Sequence, residues 1–210
     1  SIVTWPPRRS ITVARPGSDP APRARGSRGE IPHLLSVGSI VPRKGFDVLV
    51  AALARLAELP WRLTIAGDLT RDANEAAKLR ASISQHRLAD RIEMPGAVSP
   101  ERLATLYNEA DVFVLASRFE GYGMAYTEAL SHGLPVIGTT AGAIPDTVSD
   151  GAGLLVTAGD VDALAAALRD VIASADLRRR LSDAASQAAR TLPTWRQSGA
   201  IFAATLEKLA

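Results

Sequence analysis

The chain has 210 residues, 47% of them hydrophobic, which is enough to bury a sizeable core, most simply as one domain. Cysteine is absent, which excludes thiol catalysis, disulfides and cysteine metal sites, and no apolar run approaches the length of a membrane span. The formal net charge is only +2 at pH 7, and six arginines against two acids in residues 1–30 account for more than that excess. The rest of the chain therefore lacks the basic surface of a nucleic-acid-binding protein.

The first 30 residues differ from the rest in composition. They are rich in Pro, Arg, Gly and Ser, and they contain one β-prone piece at residues 10–14, followed by turn-forming residues at 15–20. We predict a connector with a short strand over residues 1–30 and a single domain over residues 31–210. Because the N-terminus has no pattern of a secretory signal, we expect a cytoplasmic protein.

From His33 onward, short apolar runs alternate with segments whose apolar residues recur at helical spacing. The apolar runs predict six strands, at residues 34–38, 62–67, 91–94, 112–116, 135–139 and 153–156. The helical segments lie at 46–56, at about 74–86, after a start at Ser99-Pro100-Glu101, around Glu128, and in a tail that includes 164–172, 177–189 and 195–209. Strands that alternate with helices predict an α/β protein: a Rossmann-like, doubly wound parallel sheet of six strands with helices on both faces.

The most informative segment follows the fourth predicted strand. A turn with Gly121 and Gly123 leads into a helix, and Glu120 and Glu128 stand with seven residues between them. Such a turn presents free backbone N–H groups and a positive dipole end, which bind an anion. Two carboxylates beside that anion are better explained as acceptors for sugar hydroxyls. A ligand with both phosphates and hydroxyls is a nucleotide sugar, whose separate parts Glu120 in the turn and Glu128 two turns into the helix would contact.

A second loop, residues 38–45, follows the first predicted strand and carries Arg43 and Lys44. Gly38 lets the backbone come close to a ligand, and the two basic side chains supply positive charge at the start of a helix. Alone, this loop fits an ordinary strand-to-helix turn with solvated basic residues equally well. Opposite the two glutamates, it favours a phosphate-binding site.

Other nucleotide-binding classes fit less well. The segment Gly121–Tyr126 begins like a dinucleotide-binding fingerprint, but it lacks the third glycine, and no acidic residue ends the next strand. The loop at 38–45 has lysine before glycine and no following Ser or Thr, which disfavours a P-loop NTPase. The three histidines are scattered without neighbouring ligands, so we expect no metal. We also expect no cofactor.

With these residues the chain resembles the C-terminal, donor-binding half of retaining glycosyltransferases of family 4 (glycosyl transferases group 1), which have the GT-B fold. The resemblance is carried by an ordered series of motifs: Val37-Gly38 with Arg43-Lys44-Gly45, Ile65 to Asp68, Met94-Pro95-Gly96, Tyr107, Ala110-Asp111-Val112, Ser117 with Glu120 to Gly123, Glu128-Ala129, Gly133 to Val136, Gly142 to Asp146, and Gly151 to Val156. The family commonly has arginine directly after the first glycine, where this chain has Ser39. Arg43 is the candidate replacement.

The resemblance implies a role for each site residue. Lys44 contacts the donor diphosphate, Glu120 holds hydroxyls of the transferred sugar, and both are the expected catalytic residues. Glu128 holds the ribose, and the loop around Met94-Pro95-Gly96 flanks the base. The full set of expected donor-binding residues is Gly38, Ser39, Arg43, Lys44, Met94, Gly96, Glu120, Gly121, Tyr122, Gly123, Met124 and Glu128.

The resemblance also implies a reaction and a partner. The expected reaction transfers a hexosyl group from a nucleoside-diphosphate sugar to an acceptor, with retention. Family members have an N-terminal domain that supplies the acceptor site, so we expect this chain to lack that domain, to begin in the interdomain connector, and to be inactive alone. The alternatives are a stand-alone nucleotide-sugar-binding module and a sugar epimerase or phosphorylase of the same fold.

Overall fold

The computed structural model describes residues 12–148 and 151–207. Its strands are β1 (His33–Val37), β2 (Arg62–Ala66), β3 (Ile92–Gly96), β4 (Val112–Val114), β5 (Val136–Thr139) and β6 (Gly153–Val156). Its helices are α1 (Phe46–Ala54), α2 (Ala73–Gln85), α3 (Pro100–Glu109), α4 (Met124–Ser131), α5 (Ile144–Thr147), α6 (Val161–Ala173), α7 (Ala175–Ala189) and α8 (Trp195–Glu207), with a 3₁₀ turn at Pro42–Lys44. No helix in the described ranges is long and apolar enough to cross a membrane.

The six strands form one parallel sheet in the order β3-β2-β1-β4-β5-β6. β1 lies in the centre, where Leu34 is opposite both Leu63 of β2 and Val112 of β4. Right-handed crossovers place α1 and α2 on one face and α3, α4 and α5 on the other. α6 then packs against α1, and α7 packs against α4. This is the predicted doubly wound α/β fold with helices on both faces.

Burial on both faces explains why the strands appear in the sequence as apolar runs. Leu34, Leu35, Ile65 and Phe113 are completely buried in the sheet. Where a helix starts, local polar chemistry sets the boundary. Ser99, for example, accepts a hydrogen bond from the backbone N–H of Arg102 at 3.3 Å, with proline in the first turn, as the sequence predicted.

Several boundaries differ from the predictions. β4 ends at Val114, two residues before the predicted end. Leu115 still donates its backbone N–H to Ile137 of β5 at 3.0 Å, and the backbone N–H of Arg118 then donates to Arg43 in the loop at 38–45. α5, a single turn with proline near its start, was missed because four residues carry no helical period. α4 begins at Met124, so Glu128 lies one turn into that helix, where two turns were expected.

The described part of the predicted connector, residues 12–30, makes backbone hydrogen bonds to the rest of the chain. Residues 12–14 form neither helix nor strand, while residues 10 and 11 of the predicted short strand lie outside the described residues. The backbone of Ser18 donates to the carbonyl of Pro193 at 2.8 Å, and that of Ala24 donates to His132 at 2.8 Å. The connector is therefore attached to the segment before α8 and to the end of α4.

Candidate functional site

The candidate site lies where the strand order reverses. β1 and β4 are neighbours in the sheet, but the chain leaves β1 toward β2 and leaves β4 toward β5, on opposite sides. The carboxyl ends of such a strand pair flank a crevice that binds ligands in open α/β sheets. Two segments follow these strand ends: the basic loop (residues 38–45) and the Glu120 loop (residues 115–123).

Close backbone contact holds the two loops together. Gly45 has a left-handed conformation, with φ of 66°, and the backbone carbonyl of Ala116 occupies the space that its side chain would need. The backbone N–H of Arg118 donates to the carbonyl of Arg43 at 2.7 Å. These contacts require glycine at position 45 and align the 3₁₀ turn with the Glu120 loop.

The side chain of Arg118 makes a second link between the loops. Its guanidinium donates to the carbonyl of Pro42 at 2.6 Å and forms a two-pronged ion pair with Asp47, at 2.9 and 2.6 Å. Asp47 lies in the first turn of α1. Arg118 therefore ties the start of α1, the 3₁₀ turn and the Glu120 loop to one another.

Lys44 and Glu120 form the central contact of the site. The ammonium nitrogen of Lys44 lies 2.6 Å from Oε1 of Glu120, which also accepts the hydroxyl of Ser117 at 2.8 Å. Arg43 approaches the other carboxylate oxygen, Oε2, at 3.3 Å. Lys44 is 8% exposed and Glu120 is 7% exposed, whereas the Arg43 side chain is 54% exposed. The predicted basic and acidic groups therefore face one another.

Opposing effects act on the pKa of Glu120. Burial raises this pKa, but the hydrogen bonds from Lys44 and Ser117 and the charges of Lys44 and Arg43 lower it by more, so the net shift is downward. Glu120 is ionised at neutral pH. It is a hydrogen-bond acceptor held in place by buried partners.

The side chain of Lys44 passes directly over Gly38. A β-carbon at Gly38 would lie 3.0 Å from Cε of Lys44, and the φ of Gly38 is 156°. Gly67, at the end of β2, packs against the Gly38 carbonyl so closely that a side chain there would overlap it. The space beside the Gly38 α-carbon is therefore taken by the Lys44 side chain, and the close approach of a ligand to the Gly38 backbone stays a prediction. Ser39, the next residue, is half-buried beside it.

The start of α4 presents unpaired backbone donors. Gly123 precedes the helix with φ of 89° and supplies no side-chain cap. Within residues 12–148 and 151–207, the backbone N–H groups of Tyr122, Gly123, Met124 and Ala125 donate to no protein acceptor. Together with the helix dipole, they favour a negatively charged ligand.

The short helix α5 supports the Glu120 loop from behind. The backbone N–H of Ala143 donates to the carbonyl of Glu120 at 3.0 Å, and the hydroxyl of Thr147 donates to the carbonyl of Tyr122 at 2.7 Å. Gly142 lies against the Glu120 backbone, which fills the space of the missing side chain. Gly121, by contrast, faces open space. The loop is rigidly backed on one side and accessible on the other.

Glu128 lies in a separate part of the site. Its Oε2 accepts the hydroxyl of Tyr107 at 2.9 Å, and it lines a cavity of about 270 Å³ between α3, α4 and the connector, with Met124, Leu103, Gly17 and Trp195 among the lining residues. Burial raises the pKa of Glu128, while the hydrogen bond from Tyr107 partly offsets the shift. In the described part of the chain Glu128 has no ion pair.

The structure brings some of the predicted residues together and keeps others apart. Gly38, Arg43, Lys44 and Glu120 meet at the crevice, and α4 begins beside them. Met94 and Gly96 lie on β3, the edge strand, where Gly96 accepts a backbone hydrogen bond from the end of β2. No hydrogen bond in the described ranges joins them to that crevice.

Three residues without a role in the sequence-based prediction directly contact the predicted site residues. Ser117 and Arg118 bind or align Glu120 and the basic loop, and Tyr107 binds Glu128. Ser117 and Arg118 are signalled by their position directly after a buried strand, where ligand-binding residues gather. Tyr107 carries no such local signal, because it lies inside a helix on the far side of the cavity.

No group of three or more histidine, aspartate or glutamate side chains within residues 12–148 and 151–207 is arranged to hold a metal ion. The polar groups that converge at the crevice are Lys44, Arg43, the N–H groups at the start of α4, and the Glu120 carboxylate. Such a set can bind an anion and hydroxyl groups at adjacent positions.

The chain is similar in sequence to curated proteins that are named as glycosyltransferases. The E. coli K12 protein named "Putative colanic acid biosynthesis glycosyltransferase WcaL" is 32% identical over 173 residues, which cover 76% of this chain and 41% of that protein. The "GDP-mannose-dependent alpha-(1-6)-phosphatidylinositol monomannoside mannosyltransferase" of Mycolicibacterium smegmatis is 30% identical over 208 residues, covering 93% and 54% respectively. The chain therefore spans about half the length of these curated relatives.

The fold has close structural counterparts. The sucrose-phosphate synthase of Thermosynechococcus elongatus superposes with a TM-score of 0.83 at 27% sequence identity, over 93% of this chain and 52% of that one. The six-stranded parallel sheet is thus the Rossmann-like fold found in GT-B glycosyltransferases. The family described as "Glycosyl transferases group 1" matches residues 19–188, most of the chain. The chain belongs to the glycosyl transferases group 1.

Proposed function

We propose that this chain is the C-terminal, donor-binding domain of a retaining glycosyltransferase of family 4, which transfers a hexosyl group from a nucleoside-diphosphate sugar to an acceptor. The observation that carries the proposal is the buried Lys44–Glu120 contact at the crevice, beside the uncapped start of α4. It combines groups for a diphosphate with a carboxylate for sugar hydroxyls. The matched mannosyltransferase, which is named as GDP-mannose-dependent, supports a nucleotide-sugar donor.

Lys44 and the start of α4 bind the donor diphosphate. A lysine ammonium has three N–H donors, and Glu120 uses one of them, so two stay available for phosphate oxygens. The backbone N–H groups of Tyr122 to Ala125 add donors from the other side. As the sugar–phosphate bond breaks, negative charge develops on the departing diphosphate, and these fixed donors stabilise that charge.

Glu120 positions the transferred sugar. Its Oε1 is occupied by Lys44 and Ser117, while among the described residues Oε2 has only the long contact with Arg43. An ionised carboxylate oxygen accepts more than one hydrogen bond, so Oε2 can also accept a sugar hydroxyl. Arg43, which is mostly exposed, is free to turn toward the diphosphate and takes the role that arginine at position 39 would have. Held in this way, the sugar can be attacked by the acceptor on the same face from which the diphosphate leaves, which gives retention.

The nucleoside occupies the region around Glu128. The cavity beside this residue has a carboxylate for ribose hydroxyls and apolar walls that include Leu103 and Met124. In this assignment the base extends toward the end of β3, where Met94 and Gly96 lie. The upstream half of the enzyme, joined through the connector, supplies the acceptor site. The cytoplasmic setting stays a prediction.

A thermal-shift panel of UDP-, GDP- and ADP-sugars tests the binding proposal. A ligand that binds only the folded state raises the melting temperature by mass action, so we expect at least one donor to stabilise the chain. Lys44→Met and Glu120→Gln should remove the shift. Lys78→Met, at an exposed site on α2, is the matched control and should keep it. If no nucleotide sugar stabilises the wild-type chain at millimolar concentration, the proposal is wrong.

A transfer assay separates this function from the alternatives. We expect a protein that joins this chain to its upstream acceptor domain to release nucleoside diphosphate and form a glycoside of retained configuration. Binding without transfer in that protein would identify a stand-alone binding module. Conversion of donor alone into an altered free sugar would identify an epimerase.

A further inference from the structure

Tyr107 is held in a fixed position inside the domain. It lies near the end of α3 and is 2% exposed. Its ring stacks on His132, with centroids 4.9 Å apart and an angle of 8°, and it also stacks on Phe113 at 6.3 Å. A ring packed on two sides has one rotamer available, so the direction of its hydroxyl is set by the core.

The Tyr107 hydroxyl has Glu128 as its hydrogen-bond acceptor. It lies 2.9 Å from Oε2 of Glu128, and Oε1 of the same carboxylate accepts no hydrogen bond from the described residues. Without this bond the Glu128 side chain could turn about three torsions at the cavity wall. With the bond, one carboxylate oxygen is held by the core and the other is left for a ligand in the cavity of about 270 Å³.

We propose that Tyr107 is a positioning residue for the donor: its hydroxyl orients and keeps ionised the Glu128 carboxylate that accepts the ribose hydroxyls. This inference rests on the proposed function and assigns a role to a residue outside the predicted donor-binding set. Tyr107 does not contact the ligand in this arrangement. It acts through Glu128, so its loss should change the selectivity and pH dependence of nucleotide binding more than the fold.

The charges around Glu128 determine the direction of the pH effect. Tyr107 faces it from α3, His132 directly follows the end of α4, and Asp19 lines the same cavity. Burial raises the pKa of Glu128, and the Tyr107 hydrogen bond lowers it in part. Burial lowers the pKa of His132, so that ring adds no charge at neutral pH. Removing the Tyr107 hydroxyl therefore raises the pKa of Glu128 further.

The test compares Tyr107→Phe with Tyr126→Phe. Tyr126 is the matched control because its buried hydroxyl donates to the carbonyl of Leu115 at 2.6 Å, and its ring packs on the same Phe113. Affinities for UDP, GDP and ADP and for their 2′-deoxy counterparts are measured by calorimetry between pH 5 and 8. We expect Tyr107→Phe to weaken ribonucleotide binding about tenfold at neutral pH, to reduce ribo-over-deoxy discrimination, and to move the loss of binding in acid to higher pH.

Each outcome has a distinct meaning. Tyr126→Phe should lower stability without changing the preference for ribonucleotides over 2′-deoxynucleotides or the pH at which binding is lost in acid. If the wild-type chain binds none of the nucleotides, the proposed function itself fails. If the wild type binds nucleotides, and Tyr107→Phe keeps both its preference for ribonucleotides and the pH at which its binding is lost in acid, the inference about Tyr107 is wrong while the proposed function stands.

A measurement on the wild-type chain covers the case in which Tyr107→Phe does not fold. The carboxyl ¹³C signal of Glu128 is titrated by NMR with and without the nucleotide that binds. We expect its pKa to lie above the ordinary glutamate value and to fall when nucleotide binds, because the ligand favours the ionised form. A Glu128 that titrates in the ordinary range and ignores nucleotide would overturn the proposal.

Discussion

The ammonium nitrogen of Lys44 lies 2.6 Å from Oε1 of Glu120, across 76 residues of sequence, and both residues are buried. The contact is formed without any ligand. It joins the loop that follows β1 to the loop that follows β4. The geometry of the candidate site and the stability of the carboxyl end of these two central strands therefore depend on the same pair.

Lys44→Met should destabilise the chain. The substitution keeps the apolar stem but leaves the Glu120 carboxylate with Ser117 and a long contact to Arg43. Removing one partner of a buried ion pair costs about 3 kcal/mol, which urea unfolding would measure. Lys78→Met, with a side chain 66% exposed, should change the free energy of unfolding by about 0.5 kcal/mol or less. Equal effects of the two substitutions would contradict the structural role of Lys44.

Glu120 should make the fold sensitive to acid. Its pKa is lower in the folded chain than the ordinary value of 4.5, so the unfolded state takes up a proton first as the pH falls. The stabilisation by Glu120 is therefore complete above pH 4.5 and is lost as the pH falls through the folded-state pKa. Glu120→Gln should flatten the stability profile below about pH 5. Unfolding midpoints of both proteins between pH 3 and 7 would show whether the profiles diverge.

Glu128 should affect the pH dependence of stability in the direction opposite to Glu120, and Glu128→Gln tests this. The pKa of Glu128 is raised by burial, so the folded chain loses stability as the pH rises through the unfolded and then the folded pKa. Glutamine removes that loss and still accepts the Tyr107 hydroxyl. We expect a higher melting temperature than wild type at pH 7, equal values in acid, and weaker nucleotide binding, a trade of stability for function. A lower melting temperature at pH 7 would refute the assignment.

Gly45→Ala should destabilise the fold for two reasons, backbone conformation and steric overlap. Two other glycines allow these two effects to be measured separately. Gly45 combines a left-handed backbone with contact to the Ala116 carbonyl, whereas Gly159 has φ of 82° and open space around it, and Gly199 in α8 has open space alone. We expect a loss of about 3 kcal/mol for Gly45→Ala and about 1 kcal/mol for Gly159→Ala. Gly199→Ala should stabilise by about 0.5 kcal/mol. Urea unfolding of the three variants tests this order.

Arg118→Ala should separate ligand binding from stability. The ion pair with Asp47 is partly exposed, at 40% and 54% of the side chains, and such pairs contribute about 1 kcal/mol or less. The same side chain holds the Pro42 carbonyl and thereby the position of Lys44. We expect a small change in melting temperature with a clear loss of nucleoside-diphosphate affinity by calorimetry. Unchanged affinity would show that Gly45 and the backbone contacts align the loops without Arg118.

Some of this protein could be derived from short stretches of its sequence. Apolar runs, helical spacing and cap residues are local signals, so they located all six strands and the start of α3. The glycine-bearing turn with Glu120, and the Arg43-Lys44 loop, follow strands whose carboxyl ends lie along one sheet edge. Doubly wound topology then places both loops at one crevice.

The tertiary structure decided which side chains meet, because hydrogen-bond partners far apart in sequence leave no periodic trace. The pairing of Lys44 with Glu120, the link from Arg118 to Pro42, and the hydrogen bond from Tyr107 to Glu128 each join separate elements. The sequence by itself determined the fold class and the residue types at the crevice, since burial and backbone propensity act locally. Only the folded chain decided their orientation and ionisation, since both depend on burial and on partners that the strand order brings together.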